Sequence, residues 1–311
     1  MKRGKRTAMA LLLCVFAVLL SGCQVHISIG TNDTLLSESY PNAEKYQAGA
    51  CAYPANAIKA VEVYWRSGEI EIIESDNAEL SVKESGRALP NDAAMHYLLD
   101  DGVLRIRFCA SGAKIQVNAA DKHVRLEVPK GIDLSVHTTS ALTKADTLNQ
   151  KNVLIAALSG DTELGTVAAD TIHLSSSSGS IRVDSISAQS LKCNAASGSV
   201  AIEAAFVRTL ACNTSSGAVT IGNVISETSV LTTSSGSVNL SLTNAPSAEI
   251  HTASGDVSLT LPKNGAEVLH TTSSGKLLTT RAYDQKGDLY VFGEGASTIT
   301  IDTSSGNLRI Q

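Results

Sequence analysis

Apolar and polar residues alternate along most of this chain, and the alternation itself recurs at a fixed interval. A Ser-Gly pair stands at Gly160, Gly179, Gly198, Gly217, Gly236 and Gly255, 19 residues apart each time, and Ser140-Ala141 holds the same register one interval earlier. Two residues past each glycine come Ile181, Val200, Val219, Val238 and Val257, and four past it come Leu164, Val183, Ile202, Ile221, Leu240 and Leu259. This period of two predicts one strand. Five residues before the glycine come Ile155, Leu174, Cys193, Cys212, Leu231 and Ile250, with Val153, Ile172, Leu191 and Leu210 two places earlier, which predicts a second. Between the strands, Leu148, Val167, Ile186, Ala205 and Val224 each supply one inward residue at a corner. A repeat of this length cannot bury its own apolar face, so successive coils must stack, about 4.8 Å apart, through parallel ladders.

The pattern therefore predicts an all-β, single-stranded parallel β-solenoid of about 19 residues per coil, right-handed by the crossover rule. Gly275 follows after 20 residues and Gly306 after 31, so Arg281 to Gly295 reads as an inserted hairpin or loop. The corner positions Gly160, Gly179, Gly198, Gly217, Gly236, Gly255, Gly275 and Gly306 are read as structural. Glycine there is expected to supply a left-handed bend, and the serine before it a hydroxyl for unpaired backbone groups.

The same grammar runs less regularly nearer the N-terminus. Val61, Val63 and Trp65 precede Ser67-Gly68, Ile70 and Ile72 follow, and the segments 103–108 and 124–129 alternate likewise. Residues 58–140 thus read as irregular capping coils and 141–311 as the regular repeats. Tyr64, Trp65, Tyr97 and Phe108 gather in the first group, whereas Phe206 is the only aromatic between Ala141 and Gly275, so these bulky residues are expected to plug the open end of the stack.

Ahead of the repeats lies an address. Lys2 to Arg6 are basic, Ala8 to Leu20 are 13 apolar residues, and Leu20-Ser21-Gly22-Cys23 follows. Thirteen residues are too few to span a bilayer as a helix, which needs about 20. Small residues before a cysteine resemble a bacterial lipobox, so residues 1–22 are expected to leave as a signal peptide and Cys23 to carry the lipid. Residues 23–57 are polar, carry Pro41 and Pro54 and show no sustained period, which predicts a tether.

Composition narrows the partners. The 311 residues carry a net charge of −5, and four of the basic residues lie in the first six positions, so the mature chain is more acidic still. Nucleic acid is excluded as a general partner. Apolar residues make up 43% but aromatics only 4%, as a core of small and branched aliphatic side chains requires.

Three segments together carry a resemblance: Trp65-Arg66-Ser67-Gly68-Glu69-Ile70-Glu71-Ile72, Val128-Pro129-Lys130-Gly131, and Gly293-Glu294-Gly295 leading to Thr303-Ser304-Ser305-Gly306-Asn307-Leu308-Arg309-Ile310. The chain over roughly 58–311 resembles the bacterial putative-adhesin family of β-strand repeats, a domain of unknown function in exported and membrane-anchored proteins. The resemblance implies a β-helix-like fold on the cell envelope, with some members tied to envelope-stress systems. It carries over no catalytic or ligand residues.

The residues themselves offer little chemistry. Ten acidic residues lie between Ala141 and Gly275, of which Asp184 and Glu203 share a register in adjacent coils, and Asp170 and Glu227 share another three coils apart. Neither pair has a third ligand, so solvated surface charge is the simpler reading. His137 and His251 share a register six coils apart, about 29 Å, and cannot bind one metal; His173 and His270 occupy other registers. Ser178, Ser197, Ser216 and Ser235 repeat without a matching ladder of bases, so they read as corner residues and not nucleophiles. Cys193 and Cys212 stack, and parallel side-chain directions favour buried thiols over a strained disulfide; Cys51 and Cys109 leave both states open. No cofactor, metal site or catalytic residue is expected. The sequence reads as a lipid-anchored protein on the extracytoplasmic face of the cell membrane. Its solenoid face would be a non-catalytic platform for an envelope protein or glycan, for adhesion or envelope sensing. The alternative is a carbohydrate-binding or polysaccharide-active β-helix, weakened because sugar grooves usually present several aromatic rings and the regular coils offer only Phe206.

Overall fold

Parallel ladders hold the regular coils in the register that the repeat requires. In the computed structural model, which describes residues 39–86, 88–114 and 122–311, Val183 has Leu164 and Ile202 as its neighbours, each 19 residues away. The two strands expected per coil are merged in three consecutive coils, Thr162–Ser176, Ile181–Ala195 and Val200–Thr214, because the corner bends without breaking the ladder. In the next coil the corner does break, between Val219–Ile225 and Thr228–Thr233, and just ahead of the break, inside the first of these strands, Asn223 takes a left-handed φ of 44° and the register slips. Every inward residue named from the alternation in the regular coils is buried. Burying each such Val, Ile or Leu stabilises the stack by about 1.5–3 kcal/mol.

At both ends the order of the stack departs from the order of the chain. The coil formed by Ala60–Trp65 and Glu69–Glu74 lies between two later ones: Val103–Arg107 and Lys122–Val128 on its outer side, Asp133–Thr138 and Leu142–Asn149 on its inner side. The C-terminal strands Thr298–Thr303 and Leu308–Ile310 likewise insert between the coil of Ser247–Thr252 with Val257–Thr260 and the coil of Gly265–Thr272 with Leu277–Thr279. The segment expected as an inserted hairpin or loop contains the antiparallel pair Asp284–Lys286 and Leu289–Gly293, the latter closing on Gly265–Thr272. Phe292 is fully buried there, with Tyr283 at 5.6 Å.

The N-terminal end is closed by antiparallel strands and by part of the expected aromatic plug. Trp65 and Phe108 meet edge to face at 5.0 Å, and the buried Lys122 ammonium lies 4.1 Å from the Phe108 ring centre. Lys122 donates to the Ala93 carbonyl at 2.6 Å and to the Phe108 carbonyl, and pairs with Glu84 at 2.8 Å, so its charge is compensated where the stack ends. Desolvation by burial lowers its pKa, against the pull of Glu84. Tyr64 corrects the expectation, because it points outward, whereas Tyr97 packs half-buried against the core opposite the buried Ile106. Tyr64 is sandwiched between Arg107, 3.8 Å above its ring, and His137, stacked at 5.0 Å; Tyr97 donates to Gln47 at 2.8 Å. Within the segment read as a tether, residues from Tyr40 onward pack on this cap. Tyr40 is buried and donates to the Cys109 carbonyl at 2.9 Å, while Cys51–Pro54 pairs with Glu79–Gly86. Period-free sequence hid these contacts because two-residue and four-residue strands are too short to show one.

Candidate binding trough

A recess of about 710 Å³ runs along the corner that follows the first strand, across successive coils from Lys130 to Ile225. Its geometry follows from one column of the repeat. The residue just past the inward corner side chain must face out, and in register this column reads Asn149, Ala168, Ser187, Phe206, Ile225. Small side chains at Ala168 and Ser187, backed by Ala169 and Ala188, leave the backbone shallowly covered. Phe206 and Ile225 then rise beside each other as a wall and stay 44% and 38% exposed. Together they form a contiguous apolar spot on the outer face of the corner. Outside this column Asp170, Gln189 and Arg208 form a rim. Arg208 pairs with Glu227 at 2.9 Å, and at the other end Lys130 pairs with Asp76 at 2.7 Å.

The side chains singled out in the sequence are distributed as follows. Cys23 lies outside the described residues. The eight corner glycines occupy the corners, but none has the left-handed backbone expected of it, although Gly68 of the earlier Ser67-Gly68 pair does. Close approach is the reason instead. A Cβ on Gly198 would overlap the Gly179 carbonyl oxygen and lie 2.8 Å from its carbonyl carbon, and the same holds coil after coil. The serine before the glycine does serve backbone groups at several corners: Ser159 donates to the Thr139 carbonyl at 3.1 Å and Ser140 to the Arg66 carbonyl at 3.3 Å. A threonine three residues before the glycine, which sequence reasoning missed, adds a buried bond. Thr138, Thr233, Thr252 and Thr272 accept the backbone N–H at positions 141, 236, 255 and 275, at 2.8–2.9 Å.

Asp184 and Glu203 are exposed and lie in adjacent coils, flanked by the paired Val183 with Ile202 and Ser185 with Ala204. Among the described residues no three His, Cys, Asp or Glu side chains are placed to hold a metal ion. The histidines are separate: His137 bonds Ser135 at 2.9 Å, His173 bonds Asn194 at 2.9 Å, His251 pairs with Asp302 at 3.1 Å, and His270 is buried. Burial lowers the pKa of His137, His173 and His270. Cys193 and Cys212 are register partners and buried thiols, and the hydrogen bond from Cys212 together with burial raises the Cys193 pKa. Cys51 is also a buried thiol, pushed up to about 12 by desolvation.

A column of alternating charge runs along the first strand's outer face. Three residues past the corner, the column Arg125, Glu71, Lys144, Glu163, Arg182 alternates in sign across adjacent coils. Arg125 reaches Glu71 at 3.0 Å and Arg182 reaches Glu163 at 3.9 Å. A slip of one coil would bring like charges together, so the column favours the correct register.

No curated protein matches the chain. Solved structures similar to it include a putative adhesin from Parabacteroides merdae ATCC 43184, 10% identical, with 89% of this chain and 100% of that one covered and a TM-score of 0.46. Another is a putative adhesin from Bacteroides fragilis NCTC 9343, 12% identical over 86% and 98% of the two chains, with a TM-score of 0.42. A third is a putative lipid binding protein from Parabacteroides distasonis ATCC 8503, 15% identical over 86% and 97%, also at 0.42. Residues 58–311, which hold every parallel coil, match the family of Toastrack domains, so the chain belongs to the Toastrack DUF4097 family.

Proposed function

We propose that this protein is a non-catalytic binding scaffold, displayed on the extracytoplasmic face of the membrane by a lipid on Cys23. The observation that carries the binding role is the trough: exposed Phe206 and Ile225 stand side by side on adjacent coils joined by a parallel ladder. The lipobox-like Leu20-Ser21-Gly22-Cys23 supports the anchor. Adhesion and envelope sensing are the two uses that such a platform serves.

Metabolic labelling with a palmitate analogue tests the anchor. The full chain takes up label and sediments with membranes, and Cys23→Ser abolishes both. Label retained by Cys23→Ser would overturn the assignment. Incubating the full chain with polysaccharides tests the absence of catalysis, and release of new reducing ends would replace the scaffold by an enzyme.

A further inference from the structure

We propose that the trough from Asn149 to Ile225 is a binding site for one extended, uncharged oligosaccharide strand lying along the solenoid axis. This rests on the scaffold reading and names its ligand class. Four observations select that class.

The first is repetition. The column advances by one coil, about 4.8 Å, at each of its five positions, and spans about 19 Å. A β-1,4-linked chain advances by a similar step per sugar, so successive rings meet equivalent backbone positions. The second is mixed polarity along the column. Phe206 and Ile225 give apolar surface at two adjacent steps for the C–H faces of sugar rings, while Ser187 and Gln189 one coil from Phe206, and Asp170 one coil further, can exchange hydrogen bonds with the hydroxyls of the next rings. An acyl chain would leave those polar groups desolvated without partners.

The third concerns the backbone. A peptide docking on a sheet commonly adds a strand to a free edge. The trough has no such edge, because Thr162–Ser176, Ile181–Ala195 and Val200–Thr214 are each paired on both sides. The fourth is charge. Arg208 and Lys130, the lining cations at the two ends, are matched by Glu227 and by Asp76 with Glu74, and the exposed Lys151 at the Lys130 end is offset by Asp170 one coil away, so the rim carries no excess of positive charge for an anionic strand. A neutral chain fits that balance.

Calorimetric titration of the full chain in detergent micelles, with cellohexaose, chitohexaose and xylohexaose as probes, tests the site. At least one probe binds at one site per chain. Phe206→Ala weakens that binding at least tenfold, and Gln189→Ala weakens it severalfold. Val230→Ala, which removes an exposed side chain on the second strand's face, leaves it unchanged. Both trough side chains are exposed, so the variants should keep the wild-type circular dichroism spectrum. Failure of all three probes to bind, or binding that Phe206→Ala leaves intact, overturns the site while leaving the Cys23 anchor standing. Displacement of the bound sugar by an extended Thr-Val peptide of higher affinity also overturns it, in favour of a protein partner.

Discussion

A hydrogen atom as side chain is what the corner of each coil demands. The chain turns there so tightly against the coil below that a methyl group at Gly160, Gly179, Gly198, Gly217, Gly236 or Gly255 would enter a carbonyl group. The positions were legible from the spacing alone. Their cause was not, since the clash is with a residue 19 positions away and the torsions of these glycines are not left-handed. Gly198→Ala is expected to destabilise the protein by about 1–3 kcal/mol, as overpacking does, read as a fall in the urea midpoint. Ser197→Ala, one residue earlier and exposed, should stay within about 0.5 kcal/mol. An unchanged midpoint in the glycine variant would show that the coils can separate to admit a methyl group.

At the scale of the element, the second strand of each coil buries one face and keeps the other partly wet; His137 and His173 sit half-buried on the wet face, and His270 on the buried one. Desolvation comes first among the causes that lower the pKa of His137, His173 and His270. A folded-state pKa below the free value of about 6.5 means that the unfolded chain binds protons more readily. Their contribution to stability is therefore present above about pH 6.5 and is lost as pH falls through the lowered folded values. Urea midpoints should drop between pH 7.5 and pH 5, and His173→Gln should flatten part of that slope. A midpoint that rises over the same range would contradict the assignment. Strand alternation predicted the inward residues of these elements correctly, because period two depends only on local geometry. It could not place Tyr64 between Arg107 and His137, since that stack joins three strands distant in sequence.

For the whole molecule, the distinctive feature is that its first and last coils are not its outermost. Ala60–Trp65 and Thr298–Thr303 each have a neighbour on both sides, although they come early and late in the chain. Chain ends ordinarily fray. Here the strands that would fray are interior to the stack, and antiparallel strands close over them. Hydrogen exchange should show the amides of Val61, Val63, Ile299 and Ile301 protected as strongly as those of Val183 and Ile202, whereas Asp284–Lys286 exchanges fast. Rapid exchange at the four interleaved positions would mean that the clasp opens independently of the coils. The trough belongs to this scale too. Phe206 drew notice as an isolated aromatic, but only stacking shows that Ala168 and Ser187 leave space beside it and that Ile225 continues its wall.

The sequence by itself determined the coil: its length, its two strands, its inward residues and the corner where glycine must stand, because each follows from a local period repeated until chance is no explanation. Tertiary structure alone decided which coil lies beside which at the two ends, why the corners exclude a Cβ, and where the surface is concave. Those properties arise from distances between residues of different coils, and a repeating pattern fixes the spacing of its neighbours only where the repeat is unbroken.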